Sequence, residues 1–598
     1  MRRTRTSCMA APAARPVRAA RPCCLRVSSI CSDSFRHDPP ACGRIPDSMI
    51  PLPSARTGAA ILADTLHGFG VRHVLHIPGE GILEIVDALA DRHADVRLTS
   101  FRHEAGMAYA AQALGRVADM PGVCLAARAP GALNTLLAVH TAETDAAPML
   151  LIVGQADARQ AGRDPLGGQD LGEVFRPVAK SVLYAGEAAR LPEVLARAWR
   201  DAMSGRRGPV VVIVPEDAMH QEARVPDLPP PTPVHPAPAA PDMEQLRTLC
   251  AAARRPLLLL GGSGWDDASL DRVAAFAARA GWPVATAYRR ADLIDHADPH
   301  FVGETGIGIA PALAEGFAQA DLVLAVNIRL GEINTFGAGG FGGFKLLEAP
   351  LPSQTLVHVH AEAGELNRVF QADLAIQAGA REFAVALDGL PVPALSDGAW
   401  LSELRAARQQ FVGTGACDAP LDLRKAVELL RADMPAGTAV TVGAGAYAVW
   451  LHRYFALRRG DVLLGPKSGA MGYGLPAAVG VALADPSRRV VAVAGDGCFL
   501  MHAEELATAV QEGLKILVVV VNNAGYGAIR GSQMRLFGRA IGTDLRNPSF
   551  ADYARAFGAH AERVETTDGF LPALERARAA TGPALIELVL PASVGKPA

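Results

Sequence analysis

Short runs of apolar residues recur along the chain, and segments with helical spacing of apolar residues separate them. Examples of the runs are Leu257–Leu260, Leu322–Val326, Val490–Ala494 and Ile516–Val521, each as long as a buried strand. Strands that are apolar on both faces and alternate with helices are typical of parallel sheets covered on both sides. The pattern therefore predicts an α/β protein with three doubly wound parallel-sheet domains.

Proline-rich stretches mark the expected domain boundaries. The segment from Pro226 to Pro241 has no apolar period and is stiffened by its prolines, so we interpret it as a linker. A softer boundary lies around Pro391–Ala394. We expect an N-terminal domain, a linker, a central domain and a C-terminal domain at residues 54–219, 220–242, 243–390 and 391–598.

The amino-acid composition excludes only a few classes of protein. The 598 residues are 50% hydrophobic and 20% charged, which is enough to bury several cores. The formal net charge of -3 gives no sign of a nucleic-acid partner, and no apolar run approaches the roughly 18 residues that would span a membrane. The cysteines after residue 48 show neither paired nor zinc-ligand spacing, as expected for a reduced, cytoplasmic protein.

The first 48 residues differ from the rest. They contain seven arginines before the first acidic residue, Asp33, which resembles an organellar transit segment. The alternative, which we favour, is that translation starts at Met49 and that residues 1–48 are a disordered or mis-annotated extension. The favoured alternative predicts a cytoplasmic location, and the other predicts an organellar one.

The most informative motif is Gly495-Asp496-Gly497, with Asn522-Asn523 about 27 residues later. Each part ends a predicted strand, and a right-handed β-α-β connection brings both to the carboxyl edge of one sheet. Mg²⁺ prefers oxygen ligands and usually shares them with substrate phosphates. The Asp496 carboxylate, the Asn523 amide and the Gly525 carbonyl can supply such ligands.

The glycines of this motif have their own role. Gly495 and Gly497 let the backbone approach a diphosphate, and a helix predicted to start after Cys498 points its amide groups at the same anion. An ordinary strand-turn-helix with an Asp-Gly turn is the alternative, which Gly-Asp-Gly alone would favour. The flanking strands, the spacing and the Asn-Asn pair reverse that preference.

These residues resemble the signature of thiamine diphosphate-dependent enzymes, and the resemblance covers nearly the whole chain after Met49. Other segments that resemble the family are His76–Gly79, Arg102–Gly106, Ala129–Asn134 and Ser468–Ala478. The similarity is to the acetolactate synthases and their relatives, including benzoylformate decarboxylase-like enzymes. It implies a pyrimidine-binding domain, a central domain and a diphosphate-binding domain, in that order.

The resemblance also implies roles for individual residues. Glu104 would be the catalytic carboxyl that exchanges a proton with pyrimidine nitrogen N1′; a helix-start glutamate stabilised by the macrodipole is the alternative. Met471 would prop the cofactor into a V shape, although methionine also fills gaps in cores. The expected cofactor-binding residues are Pro78, Gly79, Asn134, Gly443, Ala444, Gly469, Met471, Gly495, Asp496, Gly497, Cys498, Asn523 and Gly525, and the expected metal ligands are Asp496, Asn523 and Gly525.

The implied reaction is thiamine diphosphate- and Mg²⁺-dependent decarboxylation of a 2-oxo acid with carboligation to a second carbonyl. In this family the cofactor lies between the first domain of one subunit and the third domain of another. We therefore expect a homodimer or homotetramer with active sites between subunits. Acetolactate synthases hold FAD in the central domain, but Gly261–Gly264 lacks the full dinucleotide fingerprint, so FAD is left open.

The segment that would line the substrate pocket departs from the family. Acetolactate synthases have Phe-Gln-Glu before the aspartate that aligns with Asp170, whereas this chain has Leu166–Gln169. The segment Gly525–Arg530 looks more like that of aryl 2-oxo acid decarboxylases. Decarboxylation without ligation is therefore the first alternative. A second alternative is a non-catalytic pseudoenzyme subunit, but the presence of Glu104 with Asp496 argues against it. A third is a nicotinamide oxidoreductase, and the missing dinucleotide fingerprint argues against that.

Overall fold

The computed structural model describes residues 54–337, 343–415 and 417–597. The extension predicted at residues 1–48 lies outside the described residues. Three parallel six-stranded sheets follow one another along the described chain, and hydrophobic cores lie on both faces of each. The predicted fold class is confirmed. Within the described ranges, every helix is too short or too polar to cross a lipid bilayer.

The first sheet belongs to the N-terminal domain. The strands are β1 (Arg56–Thr57), β2 (His73–His76), β3 (Arg97–Ser100), β4 (Gly122–Ala126), β5 (Met149–Gln155), β6 (Ser181–Tyr184), β7 (Pro209–Pro215) and β8 (Glu222–Ala223). The helices are α1 (Gly58–Gly68), α2 (Leu83–Arg92), α3 (Glu104–Ala118), α4 (Gly131–Asn134), α5 (Leu136–Asp145), α6 (Leu171–Phe175), α7 (Leu191–Met203) and α8 (Glu216–His220). The parallel sheet has the order β3-β2-β4-β5-β7-β6, and β1 pairs antiparallel with β8.

The second sheet belongs to the central domain. The strands are β9 (Pro256–Leu260), β10 (Val284–Thr286), β11 (Phe301–Glu304), β12 (Leu322–Val326), β13 (Thr355–His360) and β14 (Leu374–Gln377). The helices are α9 (Ala240–Ala252), α10 (Asp267–Ala280), α11 (Pro311–Gln319), α12 (Ala380–Asp388) and α13 (Ala399–Gly413). The order is β11-β10-β9-β12-β13-β14, which is the order of dinucleotide-binding sheets.

The third sheet belongs to the C-terminal domain. The strands are β15 (Ala439–Val442), β16 (Val462–Leu464), β17 (Val490–Gly495), β18 (Ile516–Asn522), β19 (His560–Val564) and β20 (Ala584–Val589). The helices are α14 (Leu423–Asp433), α15 (Ala446–Tyr454), α16 (Gly474–Ala484), α17 (Asp496–Phe499), α18 (Glu505–Gln511), α19 (Gly527–Phe537), α20 (Phe550–Ala556) and α21 (Thr567–Ala579). The order β16-β15-β17-β18-β20-β19 repeats that of the first sheet.

The strand orders locate the crevices where ligands bind. In an open parallel sheet, a ligand site forms at the carboxyl edge where successive connections run in opposite directions. That point lies between β2 and β4 in the first sheet, between β9 and β12 in the second, and between β15 and β17 in the third. The Gly-Asp-Gly motif follows β17 directly, so the strand order places it at such a point.

Helix α3 of the N-terminal domain packs against helix α16 of the C-terminal domain. The two helices approach so closely that a Cβ atom at Gly480 would collide with the carbonyl oxygen of Ala110. The obstacle is backbone, which cannot move aside as a side chain can. Glycine at 480 therefore sets the distance between the two domains.

The predicted domain boundaries remain predictions, although two elements bear on them. Helix α9 begins at Ala240, inside the expected linker. Helix α13 follows the boundary expected at residue 390, yet its Trp400 donates a hydrogen bond to the Pro256 carbonyl at 2.9 Å and packs with Leu404 in the central core. Apolar residues on α13 thus complete the central domain.

Candidate active site

A cavity of about 210 Å³ opens at the carboxyl edge of the third sheet. Most of the residues predicted in the C-terminal domain line it: Ala444, Gly469, Met471, Gly495, Asp496, Gly497, Cys498, Asn523 and Gly525. Gly443 lies behind this wall, where a Cβ atom would collide with the Cys498 Sγ. The structure therefore brings together four loops that are distant in sequence, those that follow β15, β16, β17 and β18, as the strand order requires.

The predicted metal ligands lie in the same wall. Asp496 is 2% exposed, and its Oδ2 accepts hydrogen bonds from the Gly525 amide at 2.9 Å and from Asn547 Nδ2 at 2.8 Å. Asn523 Nδ2 donates to the Val594 carbonyl at 2.9 Å, which leaves the amide oxygen for a metal. The Gly525 carbonyl accepts from the Gly527 amide at 2.9 Å and keeps a second lone pair.

Two glycines and a set of oxygen donors characterise this wall. A Cβ atom at Gly495 would lie 2.7 Å from Tyr447 Cδ1, and one at Gly497 would lie 2.6 Å from Tyr526 Cε1. Glycine at both positions therefore lets an aromatic ring pack directly against the backbone beside the cavity. The atoms predicted to bind the metal are all oxygen atoms, which fits Mg²⁺.

The helix predicted after Cys498 begins earlier than expected. Gly495 ends β17 in an extended conformation and is also the N-cap of α17, so the helix starts at Asp496. It ends at Phe499, and α18 starts separately at Glu505. The prediction of a start after Cys498 was wrong because Gly495 already caps the helix and leaves Asp496 as its first residue.

Cys498 connects two walls of the cavity. Its Sγ accepts hydrogen bonds from the Gly472 amide and from the Tyr447 hydroxyl, each at 3.2 Å. Burial raises the pKa of Tyr447 well above its ordinary value, so the hydroxyl stays protonated and can donate. Because Gly472 adjoins Met471, the thiol helps to fix the loop that places Met471 in the wall.

The candidates of the N-terminal domain gather at the carboxyl edge of the first sheet. Glu104 is the first residue of α3, and its Oε2 accepts a hydrogen bond from Asn134 Nδ2 at 2.9 Å. Pro78 and Gly79 follow β2 at the same edge. Among the described residues, none from the N-terminal domain lines the cavity at Asp496. The two groups of candidate residues therefore lie at the edges of separate sheets.

Glu505 and Asn547 contact the candidate site or the residues next to it, and the sequence analysis predicted neither of them. Glu505 is fully buried, and its carboxylate accepts hydrogen bonds from the backbone amides of Arg102, at 3.2 Å, and His103, at 3.0 Å. These amides directly precede Glu104. Glu505 could have been noticed as an acidic residue on the apolar face of α18, next to Ala509. Asn547 gives no comparable signal, because a single asparagine in a loop has no pattern.

The buried carboxyl of Glu505 predicts a pH effect on stability. Burial raises its pKa from 4.5 to about 7. The folded protein thus binds this proton more tightly than the unfolded chain, and the stabilisation is complete below about pH 4.5 and lost as the pH rises to about 7. Compared with Glu505→Gln, the wild type should lose up to about 1.4 kcal/mol of unfolding free energy per pH unit between about pH 5 and 7.

Melting temperatures of both proteins at half-unit pH steps test this effect. Glu193→Gln is the control, because the hydrogen bond from Arg190, which stays charged throughout this range, holds the pKa of Glu193 below its ordinary value. The difference in unfolding free energy between wild type and this control should stay constant between about pH 5 and 7. If the melting temperatures of wild type and Glu505→Gln change in parallel with pH across this range, the prediction for the Glu505 carboxyl is wrong.

Comparisons with known proteins agree with this arrangement. The N-terminal, central and C-terminal domains of thiamine pyrophosphate enzymes match residues 56–173, 243–387 and 443–588, respectively. The chain is 30% identical over 562 residues to acetolactate synthase 2 of Zea mays, covering 90% of this chain and 86% of that protein. It is 28% identical to the acetolactate synthase large subunit of Corynebacterium glutamicum, covering 88% of this chain and 85% of that one.

The isozyme 1 large subunit of Escherichia coli acetolactate synthase is 29% identical, with 86% of this chain and 89% of that protein covered. Fold, site and comparisons define the class: the chain belongs to the thiamine pyrophosphate-dependent enzymes. Within that class it is an enzyme of the acetolactate synthase type, which binds thiamine diphosphate and acts by decarboxylation or carboligation.

Proposed function

We propose that this enzyme catalyses the Mg²⁺-dependent decarboxylation of a 2-oxo acid and joins the resulting aldehyde unit to a second carbonyl. The convergence of Asp496, Asn523 and Gly525 in one glycine-flanked cavity is the observation that supports this proposal most directly. When bound, thiamine diphosphate supplies a carbon nucleophile and an electron sink for the departing carboxylate.

The residues of this chain would divide the work. Asp496, Asn523 and the Gly525 carbonyl would hold Mg²⁺, and the metal would hold the diphosphate. Glu104 would exchange a proton with pyrimidine nitrogen N1′. The hydrogen bond from Asn134 occupies Glu104 Oε2 and leaves Oε1 for that proton transfer. Met471 would support the bent cofactor from the cavity wall.

A complete site requires a second subunit in this proposal. Glu104 and Asp496 belong to different half-sites of one chain, and the resemblance to acetolactate synthases implies that each half-site is completed by its counterpart in another subunit. We therefore propose a homodimer or homotetramer. Sedimentation velocity with and without Mg²⁺ and thiamine diphosphate tests the assembly.

The central domain gives little support for FAD. Its cavity, at the ends of β9 and β12, has a volume of only about 70 Å³, against about 210 Å³ for the cavity at Asp496, although FAD is the larger cofactor. Two arginines in its wall already pair with carboxylates: Arg206 with Glu143 at 2.7 Å, and Arg329 with Glu365 at 2.7 Å. We propose an enzyme without flavin, and the visible absorbance of the purified protein tests this.

The substrate pocket is proposed to accept large 2-oxo acids. Gly167 and Gly168 lack the side chains that acetolactate synthases place here, and Leu166 points outward with 78% of its surface exposed. A cavity of about 460 Å³ lies beside this segment, lined by Pro165, Gly168, Asp170 and Tyr184 among others. A hydrophobic pocket discriminates one methylene by only about 1–3 kcal/mol, so a shortened wall should relax the preference.

A panel of pyruvate, phenylpyruvate and benzoylformate tests both the substrate and the reaction type. We expect kcat/KM for pyruvate to be no higher than for the aromatic acids. Release of CO₂ and formation of the carbon–carbon product are measured separately, with Glu104→Gln as the inactive control. Release of CO₂ without a ligated product would favour the alternative, a non-ligating decarboxylase. A strong preference for pyruvate with acetolactate as product would contradict the roomy pocket.

A further inference from the structure

Arg289 belongs to the central domain, yet its side chain ends inside the C-terminal domain. It follows β10 by three residues and is 1% exposed. Its Nη1 donates a hydrogen bond to the Pro466 carbonyl at 2.8 Å, and its Nη2 donates to the Gly443 carbonyl at 2.7 Å. One guanidinium group therefore bridges two loops of another domain.

Both loops lead directly into the cavity wall. Gly443 precedes Ala444, and the Pro466 carbonyl also accepts a hydrogen bond from the Gly469 amide at 3.1 Å. Ala444 and Gly469 line the cavity that contains Asp496. Because the guanidinium group is planar and rigid, two hydrogen bonds from it fix the distance between the carbonyls that it joins. The spacing of these two wall segments thus depends on Arg289.

The backbone around Arg289 is arranged to hold it in this position. Its φ is 60°, in the left-handed region that residues other than glycine rarely adopt. The Arg289 amide donates to the Glu304 carboxylate, which stabilises the turn. A Cβ atom at Gly465 would lie 2.9 Å from Arg289 Cδ, so glycine at 465 leaves the room for the side chain. Residues held in such a conformation concentrate at functional sites.

The charge of Arg289 is also unusual. Arginine stays protonated in proteins, and a buried charge is costly unless it is paired. Within the described ranges, no carboxylate lies within ion-pair distance of this guanidinium group; its hydrogen-bond partners are carbonyl oxygens. The neighbouring Arg290 is also buried but pairs with Asp292 at 3.1 Å. The buried Asp145 carboxylate acts on Arg289 through space without forming an ion pair with it. Arg289 therefore contributes a fixed positive charge behind the cavity wall.

We propose that Arg289 is a positioning residue for the diphosphate end of the cofactor site. It holds the loops at Gly443 and Pro466 at a fixed spacing. It also gives the adjacent cavity a permanent positive potential that favours a bound anion. Among the described residues, none from the central domain lines the cavity, so its contribution is made from behind the wall. This inference rests on the proposed thiamine diphosphate site.

Binding measurements on the apoenzyme test the proposal. Arg289→Met removes the charge and both hydrogen bonds, and Arg289→Lys keeps the charge but cannot span both carbonyls. Dissociation constants are measured by calorimetry for Mg²⁺–thiamine diphosphate and for Mg²⁺–pyrophosphate, which contains only the diphosphate end. We expect Arg289→Met to weaken both by about tenfold or more, as for lost charge-assisted hydrogen bonds, and Arg289→Lys to lie between it and wild type.

Arg290→Met is the matched control, because Arg290 is also buried but pairs with Asp292 and, among the described residues, donates no hydrogen bond to the Gly443 or Pro466 carbonyl. It should lower the melting temperature but change both dissociation constants by less than about twofold. If Arg289→Met does not fold, Arg289→Lys serves as the test variant. Wild-type affinity in the folded Arg289 variants, or an equal loss in Arg290→Met, would overturn the inference. A wild-type protein that binds neither ligand would instead overturn the proposed cofactor site.

Discussion

Replacing Asp496 with alanine is expected to abolish tight binding of thiamine diphosphate. Asp496 is the only charged member of the proposed metal-ligand set, and it is buried against the cavity. Loss of an outer-shell partner typically costs about 10–100-fold in metal affinity, so loss of the charged ligand should cost more than about 100-fold. Calorimetric titration of the apoenzyme with cofactor at fixed Mg²⁺ measures the effect. Unchanged affinity would exclude Asp496 as a metal ligand.

Two further variants separate metal binding from folding. Asp496→Ala also leaves the Gly525 amide without its acceptor and removes one of the two acceptors of Asn547 Nδ2. Asp496→Asn, which keeps a similar shape, is therefore measured beside it. Asp544→Ala is the matched control. The backbone of Asp544 pairs with that of Gly525, but its side chain is 91% exposed and its carboxylate pairs with Arg530. Cofactor affinity in this control should match wild type.

Glu104→Gln should leave cofactor binding intact and slow the chemistry. Glutamine can still accept the hydrogen bond from Asn134, but it cannot exchange a proton with N1′. Loss of a general acid–base group typically slows a reaction by about 10²–10⁴-fold. The direct measurement is hydrogen–deuterium exchange at thiamine C2, followed by NMR.

Glu80→Gln is the control for this effect. Glu80 lies at the same edge of the first sheet, just after β2, but its side chain is 74% exposed and pairs with Arg128. Exchange in this variant should equal wild type. If Glu104→Gln also exchanges at the wild-type rate, another residue activates the cofactor.

The sequence predicted the sheets and the local parts of the site. Parallel strands that are buried on both faces need continuous apolar runs, so a segment such as Ile516–Val521 can be recognised as a strand from the sequence. Asp496 and Asn523 could be placed together because one strand-helix-strand connection links them, and the end of each strand is fixed by its pattern. The domain types followed from resemblance rather than from these patterns.

The contacts between domains could not be predicted in this way. The Glu505 carboxylate meets amides about 400 residues earlier in the chain, and Arg289 meets a carbonyl 154 residues later. Such pairs depend on how whole sheets pack, and no periodicity links their positions. The packing of α13 on the central sheet was missed for the same reason, because proline residues suggested a boundary that Trp400 crosses.

The contact between Gly480 and Ala110 limits how this enzyme can be recombined with its relatives. At that crossing two backbones touch, so even a single added methyl group would push the first and third domains apart. A chimera that takes its first domain from one enzyme and its third from another would inherit mismatched helices unless α3 and α16 are exchanged as a pair. Designers of hybrid enzymes should therefore treat these two helices as one inherited unit.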